Sequence, residues 1–279
     1  MEKSLKYYLS ILCVAILLIS CNNEEYVNGK TQKRILAEKL FNEGAHLYQG
    51  SPKSMTRIQK AIDIDPTYDE AVRELSVAYL KRGIPHIWKK HIDKAVDLNP
   101  EMWMGYRGYN YLWFYRDYKK AIRDFDEVDR LTPNFIDAPQ GHSVDYWRGV
   151  AYLGLKNYEK SIAYFDKEIK QETEKFSENS VEVTSFLYRG IAYYQMENYE
   201  EAKNNFNKLL KHSYNKYADG KYFLAQILKK EGKIKEAKEM LQAALQDFEE
   251  GYVNKRPYVE SMHELYLEDY NLLLEELKQ

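Results

Sequence analysis

Apolar residues recur at steps of three and four along most of the chain, which is the spacing that places them on one face of an α-helix. Leu36, Leu40 and Leu47 follow this spacing at the start of the body, and Ala71 and Leu75 follow it further along. No long stretch alternates apolar and polar residues as a half-buried strand does. The pattern therefore predicts a succession of amphipathic helices, each of which must bury its apolar face against a neighbour.

Two short motifs repeat in the middle of the chain. The first has the form aromatic-Arg-Gly-x-x-Tyr, and its copies begin at Tyr106, Trp147 and Tyr188. The second places a tyrosine, a small residue and a phenylalanine after an Asp or Asn, and its copies begin at Asp117, Asn157 and Asn198. A third regularity is the spacing of Pro66, Pro100 and Pro133. A fixed interval of this length is typical of proteins built from stacked helix pairs.

These motifs resemble the tetratricopeptide repeat (TPR), a pair of antiparallel helices of about 34 residues. The family has a small residue where its two helices approach, a large anchor in the second helix, and often a proline after it. The matching small residues and anchors are Gly108, Ala121 and Phe125, then Gly149, Ser161 and Phe165, then Gly190, Ala202 and Phe206. The resemblance implies an all-α, right-handed superhelical solenoid of about six helix hairpins over residues 34–249.

Weaker copies flank the three central ones, as expected for the ends of a solenoid. The most N-terminal copy has a degenerate first helix, expected near residues 37–48. Asn157 and Asn198 are expected to close first helices, because Asn tolerates the left-handed backbone found there. Pro257 is expected to open a last helix that caps the array. Longer links at residues 134–142 and 171–180 would bend the array, extend its helices or contact a partner.

In TPR proteins, fixed positions of the first helices line a concave groove that binds partners. Carried over to this chain, the resemblance gives the candidate groove residues Arg73, Lys81, Tyr109, Trp113, Tyr146, Tyr194 and Tyr222. Such a groove would be aromatic, with a basic end. TPR domains that clamp a C-terminal carboxylate use an Asn where this chain has Val77, Val150 and Ile191. The resemblance therefore argues against a carboxylate-tail chaperone.

The first residues of the chain have the pattern of a secretory signal. Lys3 and Lys6 precede an apolar run at residues 9–19, which is too short for the ~20 residues that span a bilayer. The run ends in Leu-Ile-Ser-Cys, and this resembles the lipobox of bacterial lipoproteins. The resemblance implies lipidation of Cys21 after removal of residues 1–20. The expected organisation is a signal peptide at 1–20, a lipidated tether at 21–33, the TPR array at 34–249 and a capping helix at 250–279.

The segment after Cys21 begins Asn-Asn-Glu-Glu. An acidic pair at this place resembles the signal by which some Gram-negative bacteria export lipoproteins to the cell surface. The alternative interpretation is a solvated tether, so the periplasmic or surface location stays open at this point. The expected localisation is the cell envelope, with the outer membrane favoured.

Composition and motifs argue against nucleic-acid binding and against catalysis. A net charge of −2 gives no basic stripe for nucleic acid, and the two cysteines, Cys13 and Cys21, leave the body without a thiol. No nucleophile elbow, phosphate-binding glycine loop or zinc-protease helix occurs, so we expect neither enzyme activity nor a cofactor or metal. An acidic cluster at Asp124, Asp126, Glu127 and Asp129 is expected to be a solvated helix face.

The leading hypothesis is a lipid-anchored adaptor that binds one or more envelope proteins or peptides through its groove. The alternative is a surface glycan-binding lipoprotein resembling a shortened SusD-like protein, whose aromatic residues would stack on sugar rings. Co-purification of a protein would favour the adaptor, whereas binding to a glycan array would favour the alternative.

Overall fold

The computed structural model describes residues 26–27, 29–133 and 135–278. The chain divides into two compact units, with unit 1 ending at Leu98 and unit 2 beginning at Asn99. Within the described residues, strands are limited to an antiparallel pair, β1 (Tyr26–Val27) and β2 (Lys30–Thr31). The rest of each unit is helices and their connections, so the predicted all-α fold is confirmed. The predicted signal peptide and Cys21 lie outside the described residues.

Unit 1 contains two helix hairpins. Its helices are α1 (Gln32–Ala45), α2 (Pro52–Ile64), α3 (Asp69–Lys81) and α4 (Pro85–Leu98). Helix α1 begins earlier than the expected start near residue 37, because the Thr31 side chain caps it by accepting a hydrogen bond from the Arg34 backbone N–H. Gly44 supplies the close approach of this hairpin, since a Cβ there would lie 2.9 Å from Cβ of Arg57.

Unit 2 contains four helix hairpins and a final helix. Its helices are α5 (Pro100–Trp113), α6 (Tyr118–Leu131), α7 (Val144–Gly154), α8 (Tyr158–Lys175), α9 (Val183–Gln195), α10 (Tyr199–His212), α11 (Ala218–Lys230), α12 (Ile234–Glu249) and α13 (Leu267–Glu276). Two short 3-10 turns, Pro139–Gly141 and Glu178–Ser180, interrupt the longer links. Together with unit 1, the described chain contains the six hairpins that the motifs predicted.

In each of the three central hairpins, a glycine of the first helix packs against a phenylalanine ring of the second helix. A Cβ built on the glycine would lie within 2.9 Å of the partner ring in each hairpin, and the pairs are Gly108 with Phe125, Gly149 with Phe165, and Gly190 with Phe206. All three rings are fully buried. The Ser161 hydroxyl adds a hydrogen bond of 2.8 Å to the Gly149 carbonyl oxygen. The repeat motif therefore encodes the closest contact within each hairpin.

The turns between paired helices differ from the expectation in one detail. Asn157 and Asn198 do not close the first helices. Each caps the second helix by accepting a hydrogen bond from a backbone N–H three residues later. The left-handed residues are their predecessors, Lys156 (φ 58°) and Glu197 (φ 59°). The Asn side chain accepts hydrogen bonds from the free N–H groups of a helix start better than Lys or Glu would. Asn157 and Asn198 therefore occupy the N-cap position of the second helix, and the residue before each takes the left-handed backbone.

The prediction of where the last helix begins is wrong. Pro257 does not open a helix, and α13 begins at Leu267. Residues 250–266 form an irregular segment with left-handed backbone at Gly251, Tyr258 and His263. Its polar groups bind α5, α9 and α11 at some positions and one another at others, instead of forming helical hydrogen bonds. The remaining helix, α13, packs against α12, as a cap of the last hairpin would.

Candidate protein-binding face

The two basic candidates, Arg73 and Lys81, lie on α3 in unit 1. The Lys81 ammonium donates to the Gln49 side-chain oxygen at 2.7 Å, and the Gln49 amide donates to Glu74 at 2.6 Å. Arg73 donates to the same Glu74 carboxylate at 2.8 Å. Both cations are therefore engaged in one polar network of unit 1, which leaves less of their charge available to a partner.

Three of the aromatic candidates lie together in unit 2, where Trp147 joins them. Tyr109 and Tyr146 place their ring centres 5.2 and 4.7 Å from that of Trp147, and Trp113 lies at 6.2 Å, all with edges against faces. Trp113 and Tyr146 are only 1% exposed, and Trp147 is fully buried. These rings therefore do not form the open strip that the groove positions predicted.

The chain's own C-terminal segment covers part of Tyr109, Trp113 and Trp147, while His142 stacks on Tyr146 at 4.5 Å between ring centres. Residues 252–262, here called the C-terminal strap, place the Arg256 guanidinium 4.4 Å from the ring centre of Trp113. The same guanidinium lies 5.4 Å from Trp147 and 5.7 Å from Tyr109, and it donates to the Tyr109 hydroxyl at 3.1 Å. Tyr109, Trp113 and Trp147 thus form an aromatic box around the Arg256 guanidinium, and the Arg116 guanidinium lies 5.5 Å from the ring centre of Trp113 as well.

Asn254 fixes the strap two residues before the box. Its backbone N–H donates to the Asp219 carboxylate at 2.9 Å, and its amide donates to the Tyr188 hydroxyl at 3.2 Å. Burial raises the pKa of Asp219 to about 6, although the Asn254 N–H lowers it. Burial likewise raises the pKa of Tyr188 to about 12. These groups start α11 and lie on α9, so the strap is held by first helices of two successive hairpins.

The last two aromatic candidates, Tyr194 and Tyr222, line a separate cavity of about 420 Å³ in unit 2. The cavity lies between α9, α11 and α13. Its full lining is Tyr194, Tyr222, Gln226, Lys229, Lys230, Asp269, Leu272, Leu273 and Glu276. The Tyr194 hydroxyl donates a hydrogen bond to the Gln226 side-chain oxygen, and Leu272 is 64% exposed at the rim. The structure thus separates the predicted groove into a covered box and an open cavity.

The acidic cluster forms a solvated face in part, because only Asp124 of its four carboxylates is buried. Asp124 is 7% exposed and accepts two hydrogen bonds of 2.8 Å from Arg107. Asp126 and Asp129 accept from Arg148 of the following hairpin at 2.9 and 2.6 Å. The expectation is wrong for Asp124, because Arg107 of the repeat motif lies at the helix crossing, where its charge needs a carboxylate. The side chains of Asp126, Glu127 and Asp129 are 56%, 36% and 44% exposed.

The same arrangement recurs one hairpin later. Arg189 donates to Asp166 on the preceding hairpin at 2.6 Å and to Asn205 on its own hairpin at 2.7 Å. Arg148 also donates to Asp145 on its own helix at 2.9 Å. Arg148 and Arg189 therefore join their hairpins to the preceding ones, whereas Arg107 pairs within its own hairpin. Sequence reasoning had given these arginines no such role.

The strap residues Asn254 and Arg256 were also missed by the sequence reasoning. The available signal was a stretch between Gly251 and Pro257 without helical spacing, which predicts a loop. It does not predict where the loop packs, because that depends on pockets formed by residues far away along the chain.

Two tetratricopeptide-repeat family models match the chain, one over residues 110–174 and the other over residues 193–253. These matches show TPR repeats in the two stretches, in agreement with the hairpins of unit 2. A search of curated proteins finds no match. Within the described residues, no three His, Cys, Asp or Glu side chains are grouped to hold a metal, and no helix is long and apolar enough to cross a membrane.

Solved structures with the same fold include Pseudomonas aeruginosa pilF, at 16% identity and a TM-score of 0.59, covering 78% of this chain and 94% of that one. A tetratricopeptide repeat protein from Parabacteroides merdae is 15% identical with a TM-score of 0.55, covering 87% and 84%. PilW, described as a widely conserved type IV pilus biogenesis factor, is 14% identical with a TM-score of 0.54, covering 78% and 90%. At these identities the likeness shows the fold alone.

Proposed function

We propose that the chain is a protein-binding scaffold of the bacterial cell envelope, tethered to the membrane by a lipid on Cys21. TPR arrays present the faces of their first helices to partner segments, and this chain has such repeats. PilW, a neighbour of the same fold, is described as a pilus biogenesis factor. A role in assembling other envelope proteins is in keeping with that description.

The observation that carries the proposal is the open cavity lined by Tyr194 and Tyr222. Its volume of about 420 Å³ is enough to take side chains of a partner segment. Tyrosine offers a large contact area at low conformational cost, and the exposed Leu272 gives the rim an apolar contact. Lys229 and Glu276 form an ion pair of 2.5 Å beside it, so the rim offers both charges. We propose that an apolar side chain of a partner protein enters this cavity.

The test is a pair of leucine variants on α13. Leu272→Asp puts a charge at the cavity rim, whereas Leu267→Asp puts the same charge on the same helix at a leucine that does not line the cavity. Both leucines are exposed, so both variants should fold. We expect Leu272→Asp to weaken binding of the partner about 30-fold, as the loss of an interface anchor worth about 2 kcal/mol does.

The measurement is affinity capture of the natively processed protein from envelope extracts, followed by titration of each captured protein. A partner that binds wild type and Leu267→Asp but not Leu272→Asp supports the proposal. Equal binding by all three proteins would move the site away from the cavity.

The glycan-binding alternative depends on aromatic side chains that stack on sugars. Trp88, Trp113 and Trp147 are at most 2% exposed and do not offer such a surface in this conformation. Glycan-array binding that is lost in Leu272→Asp would nevertheless replace the protein partner with a carbohydrate.

A further inference from the structure

The C-terminal strap binds unit 2 in the manner of a peptide ligand. It is an irregular segment that contacts α9, α11 and Arg116, and it is closed on itself by a hydrogen bond of 3.4 Å from the Asn254 amide to the Met262 carbonyl oxygen. The Ala218 N–H donates to the Tyr252 carbonyl oxygen at 2.8 Å, and Asn254 is bound by Asp219 as described. Arg116 donates to the Glu260 carbonyl oxygen at the other end. Main-chain contacts at both ends and an anchored side chain between them are the pattern of extended-peptide recognition.

The aromatic box holds Arg256 through its ring faces. Within the described residues, no carboxylate pairs with this guanidinium, and its only hydrogen bond goes to the Tyr109 hydroxyl. A half-buried cation against aromatic faces is stabilised by the electrostatic attraction of the rings. Arginine suits such a site better than lysine, because its guanidinium is planar and less strongly hydrated. The box therefore has the chemistry of an arginine-binding pocket.

The fit of the strap in this pocket is incomplete. Arg256 Nε and Trp113 Nε1 are buried without a hydrogen-bond partner among the described residues, and so is the Ser261 hydroxyl. Each such group has lost its hydrogen bonds to water without gaining another, which destabilises the bound strap. Tyr258 and His263 also adopt left-handed backbone, at φ of 70° and 54°, which L side chains adopt at a cost. These costs lower the free energy needed to remove the strap from the box.

We infer that the aromatic box is a second protein-binding site, and that the strap occupies it as an internal competitor. The ligand is an extended segment of a partner protein that carries asparagine and arginine in the order Asn-x-Arg. Its arginine enters the box, and its asparagine binds Tyr188 and Asp219, as Asn254 and Arg256 of the strap do. This site is separate from the cavity at Tyr194, so it stands or falls independently of the function proposed above.

The strap competes from within the same chain. A segment tethered by a short loop acts at an effective concentration of roughly 1 mM. A partner segment with the same contacts therefore binds weakly while the strap is in place, and its apparent affinity rises as the strap is released. This predicts that a variant with a weakened strap binds an external copy of the strap more tightly than wild type does.

The experiment uses the full chain and a fluorescent peptide with the sequence of residues 250–264. The release variant is Asn254→Ala/Arg256→Ala, which removes both anchoring side chains and leaves the box intact. We expect it to bind the peptide at least tenfold more tightly than wild type in fluorescence anisotropy. A peptide with alanine at the same two positions is the matched control, and it should not bind.

Two outcomes overturn the inference. If the release variant keeps its helical circular dichroism but binds neither peptide, the strap is a fixed part of the fold. If the release variant does not fold, the test is made on the wild-type protein instead. Its amide hydrogen exchange is measured with and without an excess of the peptide. Faster exchange of the amides in residues 252–262 shows that the peptide displaces the strap, whereas unchanged exchange refutes displacement.

Discussion

Burial at the helix crossings disfavours the charged form of a side chain, so it lowers the pKa of an arginine and raises the pKa of a glutamate. Although burial lowers the pKa of Arg148, Asp129 and two further carboxylates raise it overall, so the guanidinium keeps its charge. Burial dominates at Glu168, which is 5% exposed, and raises the pKa of its carboxyl to about 7. Glu172 and Glu182 add to this, while Ser185 and Arg189 oppose it. Glu168 is therefore partly protonated near neutral pH.

The stability of the fold should depend on pH through Glu168. Its pKa is about 7 in the folded chain and lies near the ordinary 4.5 once unfolded, so the folded state binds its proton more tightly. The contribution to stability is complete below about pH 4.5 and disappears as the pH rises through about 7, a change of roughly 3 kcal/mol. Glu168→Gln should remove this loss. The measurement is chemical denaturation of both proteins between pH 5 and pH 8.

The control for this experiment is Glu174→Gln, at an exposed glutamate of the same helix. It should leave the pH dependence of the wild type unchanged. Parallel stability curves for wild type and Glu168→Gln would mean that this carboxyl does not titrate in the interior.

At the scale of the elements, each hairpin depends on the contact between one glycine and one phenylalanine ring. Gly149 lies where α7 crosses α8, and a Cβ there would come within 2.8 Å of the Phe165 ring. That ring is fully buried and cannot move into solvent. Interiors packed at this density respond to an added side chain by strain in both helices.

Substitution of Gly149 should therefore destabilise unit 2. We expect Gly149→Leu to lower the free energy of unfolding by roughly 1–3 kcal/mol. Gly149→Ala should also destabilise, although alanine in a helix is normally better than glycine by about 0.5–1 kcal/mol. Thermal unfolding followed by circular dichroism measures both. A Gly149→Ala variant that melts at or above the wild-type temperature would show that the crossing has room for a methyl group.

A double-mutant cycle separates crowding from helix propensity. Phe165→Leu should partly relieve Gly149→Ala, because a smaller side chain leaves space at the crossing. Additive effects of the two substitutions would indicate that the residues do not compete for the same space.

The elements differ in how far the sequence predicts them. The hairpins follow from spacing and from Gly149 and its equivalents, because those contacts are local. The path of the strap and the burial of Trp113 do not follow, because Arg256 meets the box only after the hairpins between them have folded. Groove positions taken from the repeat identify residues on the right helices. They do not reveal that another part of the chain covers some of them.

At the scale of the whole molecule, the proposed lipid anchor would set where the array works. Lipid attachment at Cys21 would hold the units at a membrane surface. Two or more acyl chains anchor a protein stably where one alone does not, because each buried CH₂ contributes about 0.8 kcal/mol. The proposed scaffold would then search for partners in the plane of the membrane rather than in bulk solution.

The two cysteines give a matched test of this anchor. Cys21→Ser should abolish lipidation and leave the uncleaved precursor, whereas Cys13→Ser, within the apolar run, should be lipidated as wild type is. Intact-mass spectrometry of the membrane fraction distinguishes the products. A wild-type protein whose mass includes no acyl chains would end the lipoprotein interpretation.

The ion pairs of Arg148 and Arg189 have a direction along the chain, because each arginine binds carboxylates of the preceding hairpin. Arg148 is 2% exposed in its side chain, whereas its partners on the preceding hairpin, Asp126 and Asp129, are 56% and 44% exposed. A hairpin that leaves the ribosome first can keep such carboxylates in water at little cost, while the buried guanidinium that follows requires them. We therefore expect the hairpin that carries Arg148 to pack onto the hairpin synthesised before it, because that hairpin already carries Asp126 and Asp129.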